Sequence, residues 1–440
     1  MTKLMELYNK AETLGGRLML NLKKSVFNFT YKRNVNENVI YNTFSKGLVV
    51  LSDEEFDNYE NLTINDLESE NTLKENGILV DKSFDEIAFL KYFHYKTKFS
   101  NDFLVLTIAP TLDCNFGCPY CYENRRHGKM SQEVQDAILK YIESTVKDGV
   151  KYLNITWYGG EPLLCFDIVE NMSRKIYALA TKSNCKLKMD IVTNGYLLNS
   201  DIVETLDEIG ISKVQITLDG LKENHDKRRH LINGNGTFDV VFNNLKLFED
   251  SPIGVLVRMN VDNENCVDFE KLKELVDSLD NPNIRTYASP VEDLNKDKVN
   301  EISDFMSNDQ FDKFTIEASK KGILSEDDFS VMDDRYCFCT AETENCYVVD
   351  EDGDFYKCWD EVGRKEYKCF NILNSEDKNY FQIASFVAND PFDDDKCKKC
   401  VFLPVCYGGC QFQKSHHIQS PCGFTKETMI SYLESSFFKE

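Results

Sequence analysis

The chain contains no run of eighteen apolar residues, which excludes a transmembrane helix. Its opening residues, MTKLMELYNKAETLGG, lack the apolar core of a secretory signal, so a cytoplasmic location is expected. Positive charge is in short supply: 51 Lys and Arg face 74 Asp and Glu, a formal net charge of −23. An acidic surface repels phosphate instead of releasing its counterions, which argues against a nucleic-acid partner. A basic peptide partner, or solubility alone, remains compatible with that charge. Cysteine is sparse before residue 300, where only Cys114, Cys118, Cys121, Cys165, Cys185 and Cys266 occur; the other ten fall within 337–422. In a cytoplasmic chain this crowding points to metal binding in two places, not to disulfides.

What is present is ordinary for a soluble globular protein, with 42% hydrophobic and 28% charged residues over 440 positions. That length suggests about three domains. Residues 1–98 hold three short runs rich in β-branched and aromatic residues, KSVFNFTYKR, NVIYNTF and GLVVLS. Two capping boxes follow, Ser52 with Glu55 and Ser83 with Glu86, so a small winged-helix-like α+β module is expected. Residues 99–290 alternate strand and helix. Apolar runs appear at FLVLTIAP, YLNITWYGG, KMDIVTNG, KVQITLDG, GVLVRMNV and NIRTYASP. Between them lie amphipathic helices such as 131–149, capped by Ser131 and stopped by Gly149. Six such units predict a parallel sheet in a partial (β/α)6 barrel, with the polar strand ends gathered on the carboxyl rim. Residues 291–336 read as a charged, mostly helical bridge. Residues 337–440 carry the cysteine cluster and end in a short helix, KETMISYLESSFF.

The stretch TLDCNFGCPYCYENRR, residues 111–126, supplies three cysteines at CxxxCxxC spacing after the first barrel strand. A structural zinc site takes four ligands, whereas three thiolates on an iron–sulfur cubane leave one iron open. The loop resembles that of the radical S-adenosylmethionine enzymes, and the resemblance implies several roles. Cys114, Cys118 and Cys121 would hold a [4Fe–4S] cluster whose open iron chelates S-adenosylmethionine; reduction would release a hydrogen-abstracting 5′-deoxyadenosyl radical. YGGEP at 158–162 is similar to the family's GGE motif, so Gly160 and Glu161 would hold the cofactor's amino group. ITLDGLKENHDKRR at 216–229 is similar to a segment of the peptide-modifying branch, in which Thr217 and Arg229 would contact the ribose and carboxylate. Tyr120 would lie along the adenine, and Asn194 and Arg258 are further rim candidates.

Residues 397–410, CKKCVFLPVCYGGC, followed by Cys422 and preceded by Cys339, Gly353 and Cys358, resemble the SPASM extension with its two auxiliary clusters. By that likeness one cluster takes Cys397, Cys400, Cys406 and Cys422. The other takes Cys339, Cys358 and Cys410 with a fourth thiol from Cys346 or Cys337; Cys346 is preferred. Four-thiolate spacing does not by itself separate zinc from iron. Asp360 invites comparison with sulfatase-maturing relatives, which place a catalytic aspartate directly after the matching cysteine; here Trp359 stands in that place.

YNTFSKGLVVLSDEEF resembles the leader-recognition element of enzymes that modify ribosomally made peptides. The expectation is a radical S-adenosylmethionine and SPASM peptide maturase with three [4Fe–4S] clusters. It would bind the leader of a precursor peptide, take electrons from a flavodoxin or ferredoxin, and install a thioether or carbon–carbon cross-link. The alternatives are a sulfatase-type maturase forming formylglycine, and a zinc-stabilised regulatory protein that binds peptides without chemistry.

Overall fold

The computed structural model describes residues 22–291, 305–324, 336–374, 376–416, 422 and 424–438. Strand β1 (Leu22–Lys24) leads into an antiparallel meander of β2 (Asn28–Asn34), β3 (Glu37–Asn42) and β4 (Leu48–Leu51). Helices α1 (Asp53–Asn61) and α2 (Leu67–Glu75) follow, then β5 (Leu79–Asp81), which pairs with β1, and α3 (Glu86–Lys98). One face of the meander packs Ile40 and Val49 on Tyr59, Leu73, Ile78 and Leu79. The capping box at Ser52 and Glu55 forms as expected. The one at Ser83 does not: Asp85 caps α3 by accepting from the Ala88 N–H, and Ser83 turns back to Asp81. Glu86 is instead buried, accepting from the Ser25 hydroxyl and the Val26 N–H, so its carboxylate is unavailable to the helix start.

Six parallel strands then lie side by side in chain order: β6 (Phe103–Ile108), β7 (Tyr152–Trp157), β8 (Lys186–Thr193), β9 (Ile211–Thr217), β10 (Gly254–Val261) and β11 (Ile284–Pro290). They correspond one for one to the apolar runs of the sequence. The helices between them are α4 (Gln132–Lys147), α5 (Phe166–Lys182), α6 (Ser200–Glu208), α7 (Lys222–Arg228), α8 (Phe238–Leu245) and α9 (Phe269–Asp277). In α4, Val134, Ile138, Ile142 and Val146 are buried, the stripe that a 3.6-residue period presents to a sheet. Among the described residues β11 pairs only with β10, so the sheet is open at that edge.

Of the bridge expected at 291–336, the described part is centred on α10 (Asn308–Lys320); the remainder lies outside the described residues. The C-terminal region extends the main sheet. Strand β12 (Cys346–Val349) pairs in parallel with β6, and β13 (Asp354–Tyr356) and β14 (Phe370–Asn371) add antiparallel, giving nine strands. Helices α11 (Tyr380–Val387), α12 (Leu403–Cys406), α13 (Gln411–Ser415) and α14 (Lys426–Phe437) complete it. Residues of α14 pack on Phe29 and Tyr41 of the first module, and Tyr31 donates to Glu434 at 2.8 Å. A second contact buries Leu90 of α3 with Phe392, Leu403 and Tyr407.

Arg126, just beyond the cysteine loop, fastens the barrel to the C-terminal region. It reaches Asp350 at 2.7 Å, Glu351 at 2.5 Å and Asp352 at 2.8 Å, and the Asp350 and Glu351 side chains are almost wholly buried. Arg126→Ala leaves those carboxylates without their cation and is expected to cost roughly 2–3 kcal/mol, measured as a shift of the urea midpoint at unchanged slope.

Candidate active site

The loop after β6 is held by its neighbours on the carboxyl rim. The Gly160 N–H donates to the Thr111 carbonyl at 3.2 Å and the Glu161 N–H to that of Asp113 at 2.9 Å. A Cβ on Gly160 would stand 2.2 Å from the Asp113 oxygen, so the two backbones approach this closely only because residue 160 has no side chain. From the other side, the Gly117 N–H donates to His230 at 2.7 Å and the Ile232 N–H to Asn115 at 3.1 Å. Phe116 is fully buried and bridges to Leu231.

Cys114, Cys118 and Cys121 are half-buried in this loop. Burial pushes Cys114 up to about 12 and Cys121 to about 11, and it raises Cys118 as well. The Cys118 thiolate adds to the rise at both neighbours, while the Arg125 guanidinium opposes it at all three and Arg229 opposes it at Cys118. The Phe116 N–H points to the Cys114 sulfur at 3.4 Å, and Asn194 Nδ2 lies 3.9 Å from it. Three thiols on one loop, with N–H donors on the Cys114 sulfur and the Arg125 and Arg229 charges favouring the thiolate forms, suit an iron–sulfur cluster.

The remaining rim candidates converge on the same place. Glu161 is fully buried, and its carboxylate accepts from Thr193 Oγ1 (2.7 Å), the Asn194 N–H (2.7 Å) and the Leu163 N–H (3.0 Å), tying the end of β7 to that of β8. Its motif carboxylate thus orders the rim. Asn194 donates to Asn115 at 2.7 Å. The Tyr120 hydroxyl donates to Asp219 and accepts from Arg229 Nη1 (2.6 Å) and Asn260 Nδ2 (3.2 Å). Arg258 joins through Asn260 at 2.8 Å and Ser289 at 2.9 Å, and Thr217 is buried at the end of β9.

Several residues of this network escaped the sequence reading. Asp219 and His225 belong to the quoted LDG and HD segment but were not among its expected contacts. His225 is buried; its Nδ1 accepts from the Asp219 N–H at 3.1 Å, which leaves the proton on Nε2 for Thr237 Oγ1 at 3.0 Å. Thr237 in turn donates to the Arg229 carbonyl. Arg228 pairs with Asp262 and lies with its guanidinium 5.3 Å from the Tyr120 ring centre.

A second wall of the site joins the cysteine loop to the C-terminal region. The hydroxyls of Tyr122 and Tyr158 share a hydrogen bond, and Trp359 meets the Tyr158 ring edge-on at 4.9 Å. Glu123 is buried beside them and pushed up to about 7 by desolvation, opposed by a hydrogen bond from Tyr158. Asp360 accepts from the Cys358 thiol at 3.5 Å, and its charge raises both tyrosines further. Tyr122, Glu123 and Tyr158 carry no recognisable spacing in sequence; only the two-strand adjacency reveals them.

The later cysteines fall into two groups. Burial raises Cys346, to about 11, and Cys358, and the nearby Cys339 thiolate adds to both; Cys358 and Cys410 pack around Ala341, Phe386 and Phe412. In the other group, Cys397 rises to about 11 through burial with contributions from Cys406 and Cys400, and Cys422 adds to the rise at Cys400 and Cys406. Cys337 also feels the Cys339 thiolate, and its sulfur lies 3.7 Å from His94 Nδ1.

With this geometry in view, residues 108–280 match the family model described as Radical SAM superfamily. The chain therefore carries a radical SAM domain, which implies one [4Fe–4S] cluster and S-adenosylmethionine. Over 374 residues it is 25% identical to a cysteine-type anaerobic sulfatase-maturating enzyme of Clostridium novyi, covering 77% of this chain and 95% of that one. It is 29% identical over 204 residues to a GTP 3′,8-cyclase of Clostridium perfringens, covering 45% and 56% of the two chains. Among solved structures, anSMEcpe with bound AdoMet superposes with a TM-score of 0.57 at 21% identity, covering 76% of this chain and 97% of that one. SuiB of Streptococcus suis superposes with a TM-score of 0.52 at 15% identity, over 91% and 97%. These superpositions establish the shared α/β architecture with its parallel sheet. No helix among the described residues is long and apolar enough to cross a membrane.

His225 gives the rim a pH signature. Burial lowers its pKa to about 4 from 6.5, so as pH falls the unfolded chain takes up this proton before the folded one. Its contribution is complete above pH 6.5 and is lost as pH falls toward 4, on the order of 3 kcal/mol in all. The stability advantage of the native chain over His225→Gln is expected to shrink across that window, read by urea unfolding at several pH values; a constant difference would contradict it.

Proposed function

We propose that the protein modifies a ribosomally made precursor peptide, joining two of its side chains through a thioether or carbon–carbon bond. The observation that carries this reading is the arrangement of three parts on one frame. The three-thiol loop on the barrel rim touches the Cys358 loop through Tyr122, Tyr158 and Trp359, and the first module packs on the same C-terminal region. When bound, the cluster and S-adenosylmethionine supply hydrogen-atom abstraction. Cys114, Cys118 and Cys121 hold that cluster. Gly160, Glu161, Asn194, Thr217, Arg229, Arg258 and Tyr120 line the cofactor's place. Cys339, Cys346, Cys358 and Cys410, and separately Cys397, Cys400, Cys406 and Cys422, would hold two auxiliary clusters, which would supply a place for the surplus electron. A flavodoxin or ferredoxin in the cytoplasm supplies the reducing electron.

The leader of the precursor adds as a strand to the open edge of β4, gaining main-chain hydrogen bonds. SuiB, which superposes over 91% of this chain, has also been solved bound to the precursor peptide SuiA. A second reading, oxidation of a cysteine to formylglycine, is favoured by the Clostridium novyi relative and by the Asp360 carboxylate beside Cys358. The two differ in product: a cross-link removes two hydrogen atoms from the peptide and nothing else, whereas formylglycine formation also removes the cysteine sulfur.

In oxygen-free protein, Cys118→Ala is expected to abolish S-adenosylmethionine cleavage while precursor affinity stays within about twofold; equal loss of both would signal unfolding. Placing a charge on the β4 edge by Val50→Asp should weaken precursor binding by about tenfold or more without changing cofactor cleavage in the absence of peptide. Calorimetric titration and chromatographic quantification of 5′-deoxyadenosine check both. Undiminished binding by Val50→Asp would remove β4 as the docking edge.

A further inference from the structure

We propose that His94, Cys337 and Glu342 bind a single divalent transition-metal ion, zinc by its donor chemistry, that staples the first module to the C-terminal region. This site is separate from the three proposed clusters and does not depend on the reaction assigned above. The donor atoms of the three side chains lie within 4.8 Å of one another, and all three residues are buried, at 0%, 7% and 0% exposure. His94 comes from α3, whereas Cys337 and Glu342 flank Cys339, more than 240 positions further along the chain.

Hydrogen bonding leaves the donor set short of a partner. His94 Nδ1 donates its proton to the Tyr336 carbonyl at 2.6 Å, which puts the lone pair on Nε2. Nε2 has no hydrogen-bond partner, and the Cys337 sulfur lies 3.7 Å from Nδ1 of the same ring. One oxygen of Glu342 accepts from the Cys339 N–H at 3.3 Å, and the other, Oε2, is likewise without a partner. Two buried acceptors cannot satisfy each other; each requires a donor or a cation. Lys98, whose charge favours the Glu342 carboxylate, donates to the Asn389 carbonyl at 2.5 Å and makes no hydrogen bond to either orphaned atom. A ring nitrogen whose other N–H is held by a backbone carbonyl is the usual form of a metal-bound histidine. Stacking at 5.5 Å and 9° on Tyr407 fixes the ring plane. Mixed nitrogen, sulfur and carboxylate donors suit zinc, with a water in the fourth position. The nitrogen and oxygen donors also distinguish this site from the all-thiol groups beside it.

The test measures metal content in full-length protein prepared without oxygen, its clusters assembled, then exposed to zinc sulfate and desalted. About one zinc per chain is expected in the native protein. Zinc should fall several-fold in His94→Phe, Cys337→Ser and Glu342→Gln, with iron and sulfide unchanged in all three. Native protein without bound zinc overturns the proposal, whether or not any variant folds. So does a Cys337→Ser protein that loses iron and sulfide, since Cys337 would then be a cluster ligand. Cobalt offers an independent readout: a sulfur-to-cobalt charge-transfer band in the native protein, absent from Cys337→Ser, supports the site, and equal bands in both refute it.

Discussion

Three thiols on one irregular loop can share a cofactor only if that loop has a single conformation, and its own residues do not provide one. Among the described residues it contains no helix or strand from Ala109 to Met130, so its position is borrowed from the rim. Bonds from Gly160 and Glu161 on one side, and to His230 and from Ile232 on the other, clamp it between the β7 and β9 loops. Phe116 is the apolar anchor of this clamp, with Tyr196 edge-on at 5.9 Å and the Arg229 guanidinium 5.6 Å from its ring. Each backbone bond contributes only about 1 kcal/mol net. Their combined effect is to remove the loop's alternatives. The Glu161 carboxylate and the His225 imidazole extend the same logic one layer outward, each fixing a loop that in turn fixes the thiols.

The C-terminal region obeys a related constraint. Because β12 pairs in parallel with β6, Cys346 stands opposite Val105 on the strand that leads directly into the cysteine loop. The two cysteine-bearing regions are thus adjacent strands of one sheet, and sliding one past the other would break the ladder. Arg126 adds an electrostatic lock across the same junction. Across the same junction Trp359, beyond β13, meets the ring of Tyr158, which directly follows β7, edge-on at 4.9 Å. The residue after Cys358 therefore reaches the barrel site as an aromatic ring, while Asp360 keeps its carboxylate near the thiol.

What sequence could disclose divides along local and non-local lines. The six barrel strands were legible because alternation is a property of neighbouring residues; in β10 every second residue is buried. The CxxxCxxC loop was legible for the same reason, its chemistry being carried by spacing within eight positions. The choice between Cys346 and Cys337 was not. It depends on strand pairing for one and on a histidine 243 residues away for the other. Ser83 and Glu86 satisfied the local pattern of a capping box, yet the β1–β2 turn, some sixty residues earlier, offers the glutamate better partners. Tyr122 and Tyr158 belong to successive units and meet only when their loops fold over the same rim.

The small sheet of the first module has two edges that are not alike. One of its faces is covered by α1, α2 and their neighbours and the other by α14, so main-chain groups remain exposed only at its two edge strands. Strand β2 is broken by a register shift between Lys32 and Asn34, and Arg33 there is pinned to Glu434 at 3.1 Å. A bulge and fixed charges are the usual means of blunting an edge against further pairing. Strand β4 reads Leu48-Val49-Val50-Leu51, with no charge, no proline and no register shift, and Val50 is exposed on it. Such a strand invites aggregation unless something occupies it. For the leader proposed above, an extended strand is what such an edge accepts, and a net charge of −23 favours a peptide that carries positive charge.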